Sequence, residues 1–443
     1  MTKNIKPLLS KYKHYLSNTS WIMAEKVFNL GIAFLVTIFV ARYLGPEQFG
    51  MLSYAISLVS LFAVAGHMGL SGLVIREIVK KPNELDTTIG TTFFLKLFGI
   101  SIGFILLVLF AFISEKIGSN EFWILIIVAS SVLFAPFEVI DFWFASQVQA
   151  KYTSMSKSIA LILSSAFKVL LIVGGASVVL FAYANIIQTL IVALLLIYFY
   201  KKHTLQAMKN WIFSLNKAKE LLSQGWMIFL GSIFAIIYLK VDQVMLKWLV
   251  GTEEVGVYAV ASTLSEAWYF IPTAIIASLF PKLIKLRESN ESQFNKRLQQ
   301  IFDLLFILAL FVAILVTLFA SPIILLFFGE EYISSATILT IHIWAALFIF
   351  MRAAFSKWIL IEGALMFSLI TQGLGAVANA GLNFLLIPHY EGIGAAYATL
   401  ISYAMASYIS LFLYKKTRPI FWMMSRAMIS PIRYPIVYIK GKI

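Results

Sequence analysis

Gly45-Pro46-Glu47-Gln48-Phe49-Gly50, followed by Ala55 and Leu58, is answered 206 residues later by Gly251-Thr252-Glu253-Glu254-Val255-Gly256, followed by Ala261 and Leu264. Five positions share that one offset. Glycines at both ends of each stretch suit a tight turn between helices, where a positive φ is open to glycine and costly to other residues. Each stretch follows the first apolar run of its half of the chain, so the repeat divides the sequence into two comparable halves. Two unrelated turns would leave a similar trace, because glycine marks turns in general.

The composition sets the solvent. Of 443 residues, 60% are hydrophobic and 13% charged, whereas soluble chains run near 45–50% and about 25%. A fold in water cannot bury that much apolar surface and still present a polar exterior, which excludes a soluble enzyme or a DNA-binding domain. Disorder is excluded because disordered chains are polar and poor in aromatics. Barrel strands alternate apolar and polar residues and have weaker hydropathy, so the expected class is an all-α integral membrane protein. With no cysteine, a disulfide frame, an Fe–S cluster and a thiol nucleophile are ruled out. Residues 1–20 are polar and basic, and the apolar run after them has no small-residue cleavage site. It reads as a first spanning helix, not a signal peptide.

A spanning helix needs about 20 mostly apolar residues. Twelve such runs are found, near 20–41, 51–73, 90–113, 122–146, 157–176, 178–199, 224–249, 256–279, 302–328, 334–351, 365–387 and 392–413. Only Gly174, Gly175 and Ser177 mark a turn between the fifth and sixth. Charge tests the count. With the N-terminus inside, 28 of the 35 Lys and Arg fall on the cytoplasmic side, Arg42 and Lys116 fall outside, and Lys26, Lys96, Lys168, Lys240 and Lys247 lie within spans. This is the positive-inside asymmetry, and an eleven-span model breaks it by moving Lys201, Lys202, Lys209, Lys217 and Lys219 outside. The net charge of +14 therefore records orientation and implies no nucleic-acid partner. The expected organisation is an N-terminal lobe (1–200), a cytoplasmic linker (201–223), a C-terminal lobe (224–414) and a basic cytoplasmic tail (415–443), with both termini inside. Both halves start inside, so they are parallel repeats of the kind built into secondary transporters, with a substrate site between lobes near the midplane. The linker (Trp211, Phe213) and the tail (Trp422, Tyr434, Tyr438) mix aromatics with lysines and arginines, as segments lying on an anionic leaflet do and as plain topology anchors also do.

Ionisable groups inside the bilayer cost roughly 2.5–3.5 kcal/mol each on insertion scales and are functional candidates by default. Here they are Glu25, Lys26, Lys96, Glu138, Asp141, Lys168, Lys240, Asp242, Lys247, Glu266 and Asp303. Lys96, Lys247 and Asp303 are discounted as lying at, or snorkelling toward, span ends. Glu138 and Asp141 share a helix face, just after Pro136, which kinks that span. Lys168 continues a stripe with Ser164 and Ser165. Asn185 and Gln188 form another stripe, and Gln372, Asn379 and Asn383 a third. Lys240 and Asp242 are two apart, point to nearly opposite sides and need not pair. Such groups also serve as glue between helices. Motifs for chemistry are missing. There is no phosphate loop and no His-Glu-x-x-His spacing, the five histidines are scattered, and the aspartates form no paired metal motif. No enzyme activity, cofactor or metal is expected. Glu253-Glu254 and Glu330-Glu331 fall in short outer loops as solvated faces.

Ala41-Arg42-Tyr43-Leu44-Gly45-Pro46-Glu47-Gln48-Phe49-Gly50 resembles a hallmark of bacterial polysaccharide exporters. So do Asp242-Gln243-Val244-Met245-Leu246 through Gly256-Val257-Tyr258, Ser265-Glu266-Ala267-Trp268-Tyr269 and Leu279-Phe280-Pro281-Lys282. Over nearly its whole length the chain is similar to the O-antigen repeat-unit flippases of the multidrug/oligosaccharidyl-lipid/polysaccharide exporter superfamily. The resemblance implies a MATE-like fold of two six-helix lobes around a central cavity. It implies movement of an undecaprenyl-pyrophosphate-linked oligosaccharide from the inner to the outer leaflet of the bacterial cytoplasmic membrane by alternating access. The implied partners are the lipid-linked oligosaccharide, membrane lipids, a polysaccharide polymerase and a chain-length regulator. A pyrophosphate needs Lys or Arg in a low-dielectric site, and Lys26, Lys168 and Lys240 are the cations read as deep enough. Asn185, Gln188, Gln372 and Asn379 suit sugar hydroxyls. Glu25, Glu138, Asp141, Asp242 and Glu266 suit H⁺ or Na⁺ coupling. Relatives that flip the peptidoglycan precursor carry an arginine in span one, where this chain has Glu25-Lys26. The competing readings are a cation-coupled multidrug exporter of the same fold and, from another class, an O-antigen polymerase, whose large basic outer loop is missing here.

Overall fold

The computed structural model describes residues 5–204 and 208–433, with side chains from Ser20 onward. Tyr434, Tyr438 and the rest of the tail beyond Arg433 lie outside the described residues. Every regular element among the described residues is helical. Ten helical stretches are long and apolar enough to cross a membrane, and this is a multi-pass membrane protein. Two of them are far too long for one crossing, Ser20–Lys80 with 61 residues and Leu365–Leu413 with 49. Both are broken by a residue with non-helical backbone. In α1 (Ile5–Ala63) the break is Gly45, at φ 70° and ψ 171°, with Pro46 after it. In α14 (Leu365–Ala404) it is Glu391, at φ 50° and ψ −131°, three residues after Pro388. Both breaks fall at the divisions expected from hydropathy, near 41–51 and 387–392.

The repeat is visible in the backbone. Gly251 starts its turn at φ 143° and ψ 176°, so the first glycine of each copy has positive φ and extended ψ. Such a conformation is nearly confined to glycine, which explains why the residue recurs there. Glu254 in the second copy is no solvated face. Its Oε1 accepts the backbone N–H of Gly392 at 2.9 Å, beside the α14 break.

Contacts divide the chain into two compact units, Met1–Ile236 and Ile237–Ile443, with the division inside helix α8 (Leu215–Leu249). In the first unit, α1 packs on α4 (Asn120–Ser131) and α6 (Ala150–Val173), and α7 (Val178–His203) packs on α4 and α6. The division between α6 and α7 is the Gly174–Gly175 turn, with Gly175 at φ 66°. α2 (Ser71–Lys80) and α3 (Leu85–Ser114) complete the unit with α5 (Val139–Ser146). α4 and α5 are joined by a tighter 3₁₀ stretch, Val132–Glu138, that contains Pro136. The segment before α8 is docked rather than loose. Ser214 N–H donates to Thr91 Oγ1 at 3.0 Å, Trp211 packs on Phe93, and a Cβ on Gly90 would stand 2.5 Å from the Ile212 nitrogen. Lys217, counted among the cytoplasmic linker charges, is buried against Glu77, Glu84 and Glu220 at 2.9, 3.1 and 3.2 Å.

In the second unit, α11 (Glu291–Phe327) is the hub. It packs on α10 (Phe270–Ser289), α12 (Ser334–His342), α13 (Ala346–Glu362) and α16 (Arg418–Met428). α9 (Thr252–Glu266) and α14 both lie against α12. The short α15 (Ser410–Leu413) follows a π-helical turn, Met405–Ile409. α16 buries Ile420, Met424 and Ala427 and exposes Trp422, so this part of the tail is a docked amphipathic helix.

Candidate functional site

The first unit holds a cavity of about 290 Å³. Its walls come from the end of α1 and the turn after it (Ala63, Gly66, His67), α3 (Lys96, Ile100), the 3₁₀ stretch (Phe134, Glu138), α6 (Lys157) and α7 (Gln188, Thr189). Glycines on α3 make this possible. A Cβ on Gly103 would stand 2.5 Å from the Phe62 carbonyl, so only a glycine lets the end of α1 lie this close and present His67. Both lining lysines are held in ion pairs. Lys96 Nζ meets Glu138 Oε2 at 3.0 Å and Lys157 Nζ meets Asp141 Oδ2 at 2.9 Å. Lys96 also sits 5.4 Å above the Phe142 ring, a cation–π geometry. Glu25 joins from α1. Asn29 Nδ2 donates to it at 2.8 Å, Ser158 Oγ donates to Asn29 at 3.1 Å, and Glu25 acts electrostatically on Lys157.

Lys96 was set aside as snorkelling, yet it is 2% exposed and paired. Lys157 was counted with the cytoplasmic charges, because the apolar run begins at that residue, yet it lines the cavity. Of the other expected residues of this unit, Gln188 lines the cavity. Asn185 donates to the Ala182 carbonyl at 3.3 Å. Lys26 is exposed on α1, and Lys168 is half-buried, about 16 Å further along α6 than Lys157 at 1.5 Å per residue. Neither has an ion-pair partner among the described residues. Ser164 is glue, donating to the Ala184 carbonyl at 3.0 Å.

The second unit centres on Asp242, 3% exposed on α8. Three donors converge on its carboxylate: Asn383 Nδ2 at 2.5 Å, Thr399 Oγ1 at 2.6 Å and Tyr258 OH at 2.7 Å. Asn383 Nδ2 also reaches Asn379 Oδ1 at 3.3 Å, and Asn383 Oδ1 is buried with no partner. Beside Asp242 lies a space of about 10 Å³ lined by Tyr238, Glu266, Tyr269, His342 and Tyr403, near the size that admits one water. Glu266 acts electrostatically on Asp242 and Lys240, and Lys240 is half-buried. Gln372 stands apart, donating to Ser368 Oγ at 3.1 Å. The structure thus brings Asp242, Asn379 and Glu266 together. Sequence reasoning missed Tyr258, Thr399 and Arg352. Arg352 falls one residue past the run 334–351, which the structure extends to Glu362.

Three similarities bear on this geometry. A "Putative O-antigen transporter" of Shigella flexneri is 25% identical over 342 residues, covering 74% of this chain and 80% of its own. The lipid II flippase MurJ, solved in an inward closed conformation, has a similar fold, with a TM-score of 0.69 at 15% identity, covering 96% of this chain and 93% of its own. The MATE multidrug transporter DinF-BH gives a TM-score of 0.66 at 18% identity, covering 93% of this chain and 96% of its own. The fold is therefore that of the MurJ and MATE structures. The family model "Polysaccharide biosynthesis protein" matches residues 15–287, more than half of the sequence, and this chain belongs to that family.

Proposed function

We propose that the protein is a flippase that carries undecaprenyl-pyrophosphate-linked oligosaccharide repeat units from the inner to the outer leaflet of a bacterial cytoplasmic membrane by alternating access. The observation that carries this reading is the cavity of about 290 Å³ where Lys96 and Lys157 face one space with Gln188 beside them. That volume is at the small end of ligand pockets, roughly 300–1,000 Å³. It suits a diphosphate better than an oligosaccharide, and lysines are established phosphate binders. Both lysines already hold carboxylates, so an arriving diphosphate must displace Glu138 and Asp141 from them. We assign Glu25, Glu138 and Asp141, the acidic groups beside these lysines, to coupling. In the second unit, Asp242 with Asn379, Asn383 and Thr399 offers the oxygen-rich setting that suits a hard cation, and we assign it, with Glu266, to H⁺ or Na⁺ coupling. Lys26, Lys168, Lys240, Asn185 and Gln372 are left for the route of the sugar and lipid phosphate.

The same reading takes α1 and α14 as crossing twice each, at Gly45 and Glu391. This makes twelve crossings with both termini cytoplasmic, in lobes 1–200 and 224–414 joined by 201–223, with a basic tail from 415. The test is deletion of the gene in its host, with inner-leaflet lipid-linked repeat unit as the readout. It should accumulate, and the Lys96→Gln/Lys157→Gln double variant should fail to clear it. Normal surface polysaccharide with no accumulated unit sinks the proposal. Loss of cationic drug resistance in the same deletion would favour the multidrug exporter.

A further inference from the structure

A larger groove of the first unit, about 770 Å³, lies between α3 and the start of α8. It shares no lining residue with the cavity that holds Lys96 and Lys157. The segment before α8 crosses α3 at Gly90 and Thr91, so α8 begins beside the next turns of α3. Leu95 and Ala218, both buried, form the floor. Phe98 and Ser101 of α3 and Leu215 and Leu222 of α8 line the rest. Phe94 and Phe213, one from each side, meet edge to face with ring centres 6.1 Å apart. Among the described residues Lys219 is the one charged group of this lining. Helix geometry leaves it unpaired. Lys217, two residues earlier, is taken by Glu77, Glu84 and Glu220. Two residues turn a helix by about 200°, so Lys219 faces away from those carboxylates. It is exposed and has no ion-pair partner among the described residues.

An apolar groove with one unpaired cation is complementary to an amphiphile with one anion. The depths agree. Lys219 stands five residues before the apolar run that begins at 224, at the level of headgroups, while Phe98 and Ser101 lie inside the run 90–113, among acyl chains. We propose that this groove binds an anionic phospholipid, its phosphate on Lys219 and one acyl chain along Phe98, Leu215 and Leu222. On the topology proposed above, the lipid belongs to the cytoplasmic leaflet. Lipid tails are as apolar as leucine, so a chain gains little by leaving the bilayer for the groove. Selectivity therefore comes from the headgroup, and one lysine near an anionic lipid is worth roughly fivefold in affinity. One lysine offsets the single charge of a phosphodiester and falls short of a diphosphate, which favours a phospholipid over the cargo lipid. A chain seated here touches both α3 and α8 and holds the linker segment in its docked place. The inference is independent of the flippase reading, because no cargo enters it.

The test is photo-cross-linking of the full-length protein in lipid nanodiscs. Phosphatidylglycerol and phosphatidylcholine probes carry the same diazirine-bearing acyl chain, and the labelled residues are mapped by mass spectrometry. The phosphatidylglycerol probe should label Phe98, Ser101 and Leu222 roughly fivefold more than the phosphatidylcholine probe. Lys219→Gln should remove that preference and leave labelling of the exposed Leu318 on α11 unchanged. Lys219→Arg keeps the charge and should keep the preference. Leu222→Trp, which fills the groove from an exposed position, should lower labelling by both probes. Equal labelling by the two headgroups in the wild type means ordinary bilayer contact and overturns the proposal. A preference that survives Lys219→Gln, or is lost in Lys219→Arg, also overturns it. Undecaprenyl phosphate added as competitor should leave the labelling as it is. If it displaces the phosphatidylglycerol probe, the groove belongs to the prenyl lipid and the phospholipid assignment fails. Should Lys219→Gln not fold, Lys219→Arg and Leu222→Trp decide by the same readout.

Discussion

Lys96 and Lys157 make ion pairs of nearly equal length in one cavity, but their surroundings differ. The side chain of Lys96 is 3% exposed and that of Lys157 is 41% exposed. Removing the carboxylate from a buried cation leaves an uncompensated charge, and an unmet buried group costs about 1–3 kcal/mol, more when charged. An exposed pair contributes about 0–1 kcal/mol. Glu138→Gln should therefore lower stability by about 1–3 kcal/mol and Asp141→Asn by less than about 1 kcal/mol, read from thermal unfolding in one detergent. Equal losses would contradict the assignment of Lys96 as the dry partner. Asp242→Asn replaces an acceptor with a group carrying two donors, against three donors already in place. We expect it to abolish ion-coupled transport, while Thr399→Val, which removes one of three hydrogen bonds, reduces it only in part. A transport assay in proteoliposomes under an imposed H⁺ or Na⁺ gradient separates the two.

Among the elements, the two repeat glycines carry the most specific expectation. Gly45 at φ 70° and Gly251 at φ 143° hold backbone conformations that side chains other than glycine rarely adopt. Gly45→Ala and Gly251→Ala should each cost about 1–3 kcal/mol, whereas Gly31→Ala, in helix with open space around its Cβ position, should be neutral or slightly stabilising. Matching losses at 45 and 251 would show that the two turns do the same work. Gly90 makes a different prediction. Because the segment around Ile212 lies on its bare backbone face, Gly90→Val should undock that segment, and trypsin should then cut at Lys209 faster than in the wild type. The repeat itself was legible because a turn is specified by neighbouring residues. The docking of 208–214 onto α3 was not, because a run of aromatics among lysines reads the same whether it lies on lipid or on another helix.

At the scale of the molecule, orientation is the open quantity that charge alone addresses. The chain has no cysteine, so single cysteines report cleanly. Lys116→Cys should react with a membrane-impermeant maleimide in intact cells, and Lys285→Cys only after permeabilisation. The reverse result would invert the topology. Apolar content and the placement of helices were determined by the sequence alone, because hydropathy is a property of consecutive residues and a bilayer selects for it directly. The two breaks and the Gly174–Gly175 turn were legible for the same reason. What only the tertiary structure decided is which charges meet. Lys96 finds Glu138 across 42 residues, and Asp242 finds Thr399 across 157. A window of hydropathy set Lys157 and Arg352 outside the membrane because each lies at the edge of an apolar run. Packing decides their partners instead, Asp141 for Lys157 and Ser407 for Arg352.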